Sequence, residues 1–159
     1  MGMYTGLRCK VIIKPEYRDE LEAMHKLNYE WSRSNIEFIR EYGDYSRADF
    51  IPRGMLSYMP DSWEIIPKKE DGSEDWNNAT DADGFEISFD KITGLWSFQC
   101  SLKNYDDTIE YFIDKVLSEI AESVKHLEYY YEEWDHSVLY ELVDGKIVKS
   151  EREGIDYRE

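Results

Sequence analysis

Two alternating segments and a long amphipathic segment in the second half of the chain restrict its fold most strongly. Residues 85–89 alternate between apolar and polar side chains, and so do residues 96–102, with a Thr-Gly pair at 93–94 between them. Such alternation predicts half-buried strands, and the short connection predicts an antiparallel hairpin. Apolar residues then recur at helical spacing from about 106 to 125, which predicts the longest helix of the protein.

The first half of the chain predicts one strand and two helices. Residues 7–14 alternate in the same way and predict a strand. Pro15 suits the first turn of a helix, and an apolar stripe continues to about Asn28. Ser34 is followed three residues later by a glutamate, which is the spacing of a capping box. We therefore expect a second, shorter helix that ends near Gly43.

The remaining C-terminal elements are predicted to be strands. Residues 127–133 form one, and residues 138–143 pair with 146–149 across an Asp-Gly turn at 144–145. The order of elements is then strand, helix, short helix, hairpin, long helix, strand and hairpin. This order predicts an α+β fold, namely a ferredoxin-like antiparallel sheet with two main helices on one face, an insertion after the first helix and an added C-terminal hairpin.

Length and composition predict a single domain over residues 1–159, because the chain is long enough to bury a sizeable core. The polar segment at about 68–84 is expected to be a flexible acidic loop, and the tail 151–159 is expected to fray. The sequence shows neither a signal-peptide pattern nor an apolar run of membrane-spanning length. Cys9 and Cys100 are expected to be buried, reduced thiols. These features together predict a cytoplasmic protein.

Part of the C-terminal half resembles a group of known proteins. Trp96-Ser-Phe-Gln-Cys-Ser-Leu102 is followed by a helix, by Tyr131-Glu-Glu133 and by a hairpin around Asp144-Gly145. This layout resembles small ferredoxin-like proteins of unknown function that phages and plasmids carry, and the similarity covers about the last 75 residues. The chain departs from that pattern at 102–105, where the family continues with a Trp and a Pro pair. The resemblance implies a ferredoxin-like fold and no particular activity.

The net negative charge of the chain comes entirely from its second part. The net charge is -16, yet residues 1–55 contain nine basic and nine acidic side chains, so residues 56–159 contain ten basic and twenty-six acidic ones. Such a field repels nucleic acids and anionic membranes and attracts basic surfaces. The expected partner is a protein with a basic surface, and neither nucleic acid nor membrane is expected.

No catalytic residue, metal site or cofactor is predicted. The chain contains no nucleophile elbow, no phosphate-binding glycine loop and no dinucleotide fingerprint. His136 lies beside acidic residues, but adjacent positions of a strand or turn point in different directions and do not define one metal site. The stretch Asp81-Ala-Asp83-Gly84 lacks both anchoring ligands of a calcium loop. An enzyme is therefore the less favoured interpretation.

The leading hypothesis is a non-enzymatic acidic module that binds a protein. An inhibitor or immunity-type protein of a phage or mobile element, which docks on the nucleic-acid-binding surface of its target, would fit this description. Acidic residues follow the exposed side of the predicted long helix, and aromatic residues are mixed with acidic ones in the next strand. The candidate partner-binding residues are Asp107, Glu110, Asp114, Glu122, Glu128, Tyr129, Tyr131, Glu132, Glu133, Trp134 and Asp135.

Two alternatives use other parts of the chain. The insertion 44–84 could cover a site for an anionic small molecule in a binding protein or enzyme, because long loops often carry sites. The candidate pocket residues are Arg47, Arg53, Tyr58 and Trp63. A homodimer formed by pairing of an exposed strand with its copy is the second alternative.

Overall fold

The computed structural model describes residues 4–27, 30–45, 48–49, 51, 69–73, 87–104, 107–131, 134, 136–152 and 154. For residues 63–65 and 80–81 it describes the backbone alone. The strands in chain order are β1 (Tyr4–Ile13), β2 (Trp63–Ile65), β3 (Thr80–Asp81), β4 (Ser88–Phe89), β5 (Leu95–Lys103), β6 (Ala121–Tyr131), β7 (Val138–Val143) and β8 (Lys146–Lys149). Helix α1 spans Arg18–Leu27 after a 3-10 turn at Pro15–Tyr17, and helix α2 spans Glu37–Tyr42 after a 3-10 turn at Trp31–Arg33.

Six of the strands form one antiparallel sheet in the order β4-β5-β1-β6-β7-β8, while β2 and β3 pair with each other. The predicted α+β class and antiparallel sheet are therefore confirmed. Both predicted hairpins are present as well. In the C-terminal one, Asp144 and Gly145 have φ values of 51° and 77°, the two positive values that a tight two-residue hairpin turn requires. Strand β3 lies within the segment 68–84, which the sequence predicts to be a flexible loop.

Alternate residues of the central strands form the core. Leu7, Cys9, Val11 and Ile13 of β1 are all fully buried, and they lie beside Phe98 and other apolar residues of the neighbouring strands. The apolar residues of α1, α2 and the long helix belong to the same cluster. This arrangement follows from the two-residue period of strands and the 3.6-residue period of helices, which each collect apolar side chains on one side.

Aromatic rings fill the space between the helices and the sheet. The ring of Trp31 lies 5.7 to 6.2 Å, centroid to centroid, from the rings of Tyr42, Trp96 and Phe112. The polar tips of two of these side chains reach backbone acceptors. The indole of Trp31 donates to the carbonyl of Ile51 over 2.6 Å, and the hydroxyl of Tyr42 donates to a carbonyl in the long helix over 3.0 Å. These bonds satisfy groups that burial would otherwise penalise.

The long helix, α3, ends earlier than predicted. It consists of a first turn at Thr108–Tyr111, a π-helical stretch at Phe112–Leu117 and a last turn at Ser118–Ile120. Strand β6 begins at the very next residue, so the prediction of a helix to residue 125 and of a strand only from residue 127 was wrong. Val124 has helical spacing in the sequence, but it pairs with Val11 in the sheet. Pairing with β1 from Thr5 to Ile13 outweighs the helical preference there.

The start of α2 also differs from the prediction. The N-cap residue is Ile36 rather than Ser34, and the hydroxyl of Ser34 accepts a hydrogen bond from the backbone N–H of Ile36 over 3.0 Å. A serine oxygen that bonds the N–H two residues later forms a local turn, so the capping-box spacing at this position does not make a capping box.

The end of α3 packs against the edge strand β8. The hydroxyl of Ser118 donates to the carbonyl of Ile113 over 2.9 Å and lies 3.4 Å from the backbone N–H of Ile147. An edge strand with bare N–H groups is a template for pairing with another chain. Because Ser118 accepts from one of these N–H groups, this edge is partly covered by the helix.

Candidate partner-binding surface

The first turns of α3 present acidic residues on the side away from the sheet. Asp107 and Asp114 are exposed and Glu110 is half-buried, whereas Ile109 and Phe112 on the other side of the helix are fully buried. The apolar spacing of the helix fixes this orientation, since the residues between the buried ones must face outward. The structure therefore brings Asp107 and Asp114 onto one outward face, and Glu110 lies at the edge of that face toward β6.

A hydrogen-bond network joins this helix face to β6. The carboxylate of Glu110 accepts from the amide of Asn104 over 2.7 Å and from the hydroxyl of Tyr129 over 2.9 Å. Asn104 also accepts a hydrogen bond from the backbone N–H of Ile109 over 2.8 Å. Burial and the neighbouring carboxylate of Glu110 raise the pKa of Tyr129. Tyr129 therefore stays protonated as a donor, and Glu110 is held beside the strand.

An exposed tryptophan contacts the ring of Tyr129. The indole ring of Trp134 lies 5.7 Å from the ring of Tyr129 and 5.9 Å from that of Tyr131, and 41% of the residue is exposed. Its backbone is held at both ends, because its N–H donates to the carbonyl of Tyr131 over 2.8 Å and its carbonyl accepts from the hydroxyl of Tyr130 over 2.7 Å. We call the set Asp107, Glu110, Asp114, Tyr129, Tyr131 and Trp134 the acidic–aromatic surface.

Sequence reasoning missed a second aromatic feature next to α3. The rings of Tyr45 and Tyr111 stack with centroids 4.6 Å apart and planes inclined by only 8°. Both residues are exposed, and Tyr111 lies between Asp107 and Asp114 along the helix. Tyr111 falls on the polar side of the helical pattern, which was the available signal. Nothing in the sequence indicated that Tyr45 would reach it.

Two candidate residues lie elsewhere. Glu122 was placed on the exposed side of the long helix, but it belongs to β6, because the helix ends at Ile120. Glu128 was expected on the acidic surface, but its side chain is 0% exposed. A buried carboxylate cannot contribute an exposed charge, so Glu128 is not part of the acidic–aromatic surface. Glu122 is exposed, but it lies near the start of β6 and not on the helix face.

The remaining candidates lie outside the residues that the structure describes. These are Glu132, Glu133 and Asp135 of the acidic set and Arg47, Arg53 and Tyr58 of the alternative pocket. For Trp63 the structure describes only the backbone, in strand β2. The alternative pocket and the homodimer stay predictions.

Glu128 belongs instead to a buried polar cluster on the face of the sheet opposite the apolar core residues of β1. Its carboxylate lies 3.8 Å from the guanidinium of Arg8 and 3.0 Å from Nε2 of His126, and Arg8 donates to Oε1 of Gln99 over 3.1 Å. Arg8 is only 4% exposed. The sequence missed this cluster because polar residues that alternate with apolar ones in a strand normally face water. Their register across β5, β1 and β6 is the feature that brings them together.

A shallow cleft lies beside the end of the C-terminal hairpin. Its volume is about 380 Å³, and the polar side chains around it include His136, Ser137, Lys149, Glu151 and Arg152. Its wall contains the acidic Glu151 together with the basic Lys149 and Arg152, and it opens widely to solvent. This mixture of charges does not select one class of ligand.

Among the described residues, no three His, Cys, Asp or Glu side chains are grouped so that they could hold a metal ion. Within the same residues, no helix is both long enough and apolar enough to cross a bilayer. Cys9 and Cys100 are both buried thiols and are not joined in a disulfide, as expected. Burial raises the pKa of the Cys9 thiol, and Cys100 adds to that effect.

Comparison with known proteins identifies no relative. No family model, no curated protein and no solved structure matches this chain.

Proposed function

We propose that this protein is a non-enzymatic module that docks a basic surface of a partner protein through its acidic–aromatic surface. The observation that carries the proposal is the position of Trp134, which is exposed although its backbone is held by two hydrogen bonds. Its ring contacts Tyr129, and the hydroxyl of Tyr129 donates to Glu110 of α3. Tryptophan and tyrosine are the residues that dominate binding energy at protein interfaces.

Charge supports the same assignment. The acidic residues of α3 lie within a chain of net charge -16, and Lys115 is the one basic residue in the described part of the segment 107–124. A field of a single sign accelerates association with a basic partner and is sensitive to ionic strength. The same field disfavours nucleic acid, whose phosphates would be repelled.

We further propose that the sheet follows the ferredoxin-like plan and that the protein works as an inhibitor or immunity-type protein of a phage or mobile element in the cytoplasm. The order β4-β5-β1-β6, with α1 after β1 and α3 between β5 and β6, supports that plan. The two buried thiols fit a reducing compartment. A basic, nucleic-acid-binding surface of a toxin or defence protein would then be the docking target.

Charge substitution on α3 tests the proposal. Asp107→Asn combined with Asp114→Lys changes the net charge by three and keeps a residue at position 107 that tolerates its φ of 58°. The matched control is Glu70→Gln combined with Glu151→Lys, which makes the same change at two exposed positions. Immobilised wild type and variants are incubated with host lysate at low and at physiological salt, and captured proteins are quantified.

We expect the α3 variant to capture the partner at least about ten times more weakly than wild type, and we expect the control to behave like wild type. Capture by wild type should also decrease as salt increases, because the attraction is between exposed charges. A captured protein that responds to neither salt nor the α3 substitutions would contradict the proposal.

A further inference from the structure

We infer that Trp134 is the anchor of the acidic–aromatic surface and that the group it receives is an arginine side chain of the partner. This inference rests on the proposed function and makes it more specific, since a basic surface could bind through lysine or through arginine. The two side chains differ in shape and hydration, and the surroundings of Trp134 distinguish between them.

The indole is available to a flat cation. Tyr129 and Tyr131 contact the indole of Trp134 at interplanar angles of 42° and 58°. Tilted neighbours of this kind support the ring without stacking parallel to it, and 41% of the residue stays exposed. Tryptophan gives the strongest cation–π interaction of the aromatic residues.

One described carboxylate is linked to the aromatic ring system through Tyr129. Glu110 accepts from the hydroxyl of Tyr129 over 2.9 Å, and the ring of Tyr129 in turn contacts Trp134. A guanidinium group can stack on the indole and donate in its own plane to a carboxylate at the same time, because it is planar and weakly hydrated. An ammonium group is a compact, strongly hydrated charge and cannot make both contacts in this way.

The other exposed aromatic pair is less suited to this role. Tyr45 and Tyr111 stack almost in parallel at 4.6 Å, so each ring already uses one face for its neighbour. Tyrosine is also the weaker partner for a cation, and Lys115 lies one helical turn after Tyr111. These comparisons favour Trp134 as the arginine site.

The test uses two defined probes, nona-arginine and nona-lysine peptides with the same fluorescent label. Fluorescence anisotropy measures the dissociation constant of each peptide at two salt concentrations. The proteins are wild type, Trp134→Ala, Trp134→Phe and the control Ile92→Ala, which removes another exposed apolar side chain. The midpoint of urea unfolding is measured for each variant, so that a loss of binding is not confused with a loss of fold.

We expect nona-arginine to bind wild type about five- to thirty-fold more tightly than nona-lysine, in line with one cation–π contact on tryptophan. Trp134→Ala should abolish this preference and leave the affinity for nona-lysine nearly unchanged. Trp134→Phe should keep part of the preference, and Ile92→Ala should keep all of it.

The failures of the two proposals are distinguishable. If both peptides bind in a salt-dependent manner with equal affinity, or if Trp134→Ala weakens both equally, the arginine inference is overturned while docking of a basic partner stands. If neither peptide binds even at low salt, both proposals fail.

Discussion

Replacing Glu128 by glutamine should destabilise the protein strongly without affecting its docking surface. The substitution keeps the shape of the side chain but removes a charge that is 0% exposed and lies 3.8 Å from the guanidinium of Arg8. Removing one member of a buried ion pair typically costs about 3–5 kcal/mol, because the other charge remains buried. Arg8 keeps the side-chain amide oxygen of Gln99 as an acceptor at 3.1 Å. We therefore expect the lower end, about 3 kcal/mol.

The assay is unfolding at neutral pH, by heat for Tm and by urea for the free energy, monitored by circular dichroism. For a chain of 159 residues, a loss of about 3 kcal/mol corresponds to a decrease in Tm of roughly 6–12 °C. The control is Glu122→Gln on the same strand, where the side chain is exposed. This control should change the free energy of unfolding by less than about 0.5 kcal/mol.

A double variant separates the ion pair from the rest of the cluster. Arg8→Met with Glu128→Leu removes both charges together, and it should be more stable than Glu128→Gln alone, since apolar replacement of a buried pair is often close to neutral. Glu128→Gln should also bind the partner like wild type below its melting temperature. A loss of less than about 1 kcal/mol in Glu128→Gln, or a double variant that is no more stable than Glu128→Gln, would refute the reasoning.

Two further predictions concern the packing around α2. Burial raises the pKa of Tyr42, and Cys100 and Asp49 add smaller effects. The hydroxyl of Tyr42 therefore ionises above about pH 10 in the unfolded chain but stays protonated at that pH in the folded protein. Stability present below pH 10 is therefore lost at higher pH, at up to about 1.4 kcal/mol per pH unit for this group. Tyr42→Phe should show a shallower loss between pH 10 and 11.5, and equal slopes for the two proteins would argue against the raised pKa. Gly43→Ala should lower the free energy of unfolding by about 1–3 kcal/mol, because a Cβ at Gly43 would collide with the backbone of Ser32. A urea midpoint equal to that of wild type would show that the contact is looser than described.

The strands and hairpins could be predicted from the sequence because their signals are local. Alternation in β1 and β5 reports which side chains face the core, and an Asp-Gly pair selects the tight turn between β7 and β8 without any distant contact. The outward position of Asp107 and Asp114 was predictable for the same reason. An apolar stripe on α3 leaves the opposite side to polar residues.

The boundary between α3 and β6 was not predictable in this way. Val124 fits a helical stripe and an inward strand position equally well, and pairing with Val11 decides between them. The stacked ring of Tyr45 on Tyr111 likewise depends on how α2 approaches α3. No local pattern contains such information, since these contacts join segments that are far apart in the sequence.

The sequence by itself determined the strand periodicity, the turn chemistry and the acidic character of the helix face, because each depends on neighbouring residues only. The tertiary structure alone decided which polar residues are surface and which are core. Glu128 and Asp114 are both acidic residues on polar sides of their elements, yet one is buried against Arg8 and the other is exposed. The physical reason is register. Pairing of β1 with β5 and β6 places Arg8, Gln99 and Glu128 side by side. Their burial is tolerable because the positive charge of Arg8 balances the negative charge of Glu128.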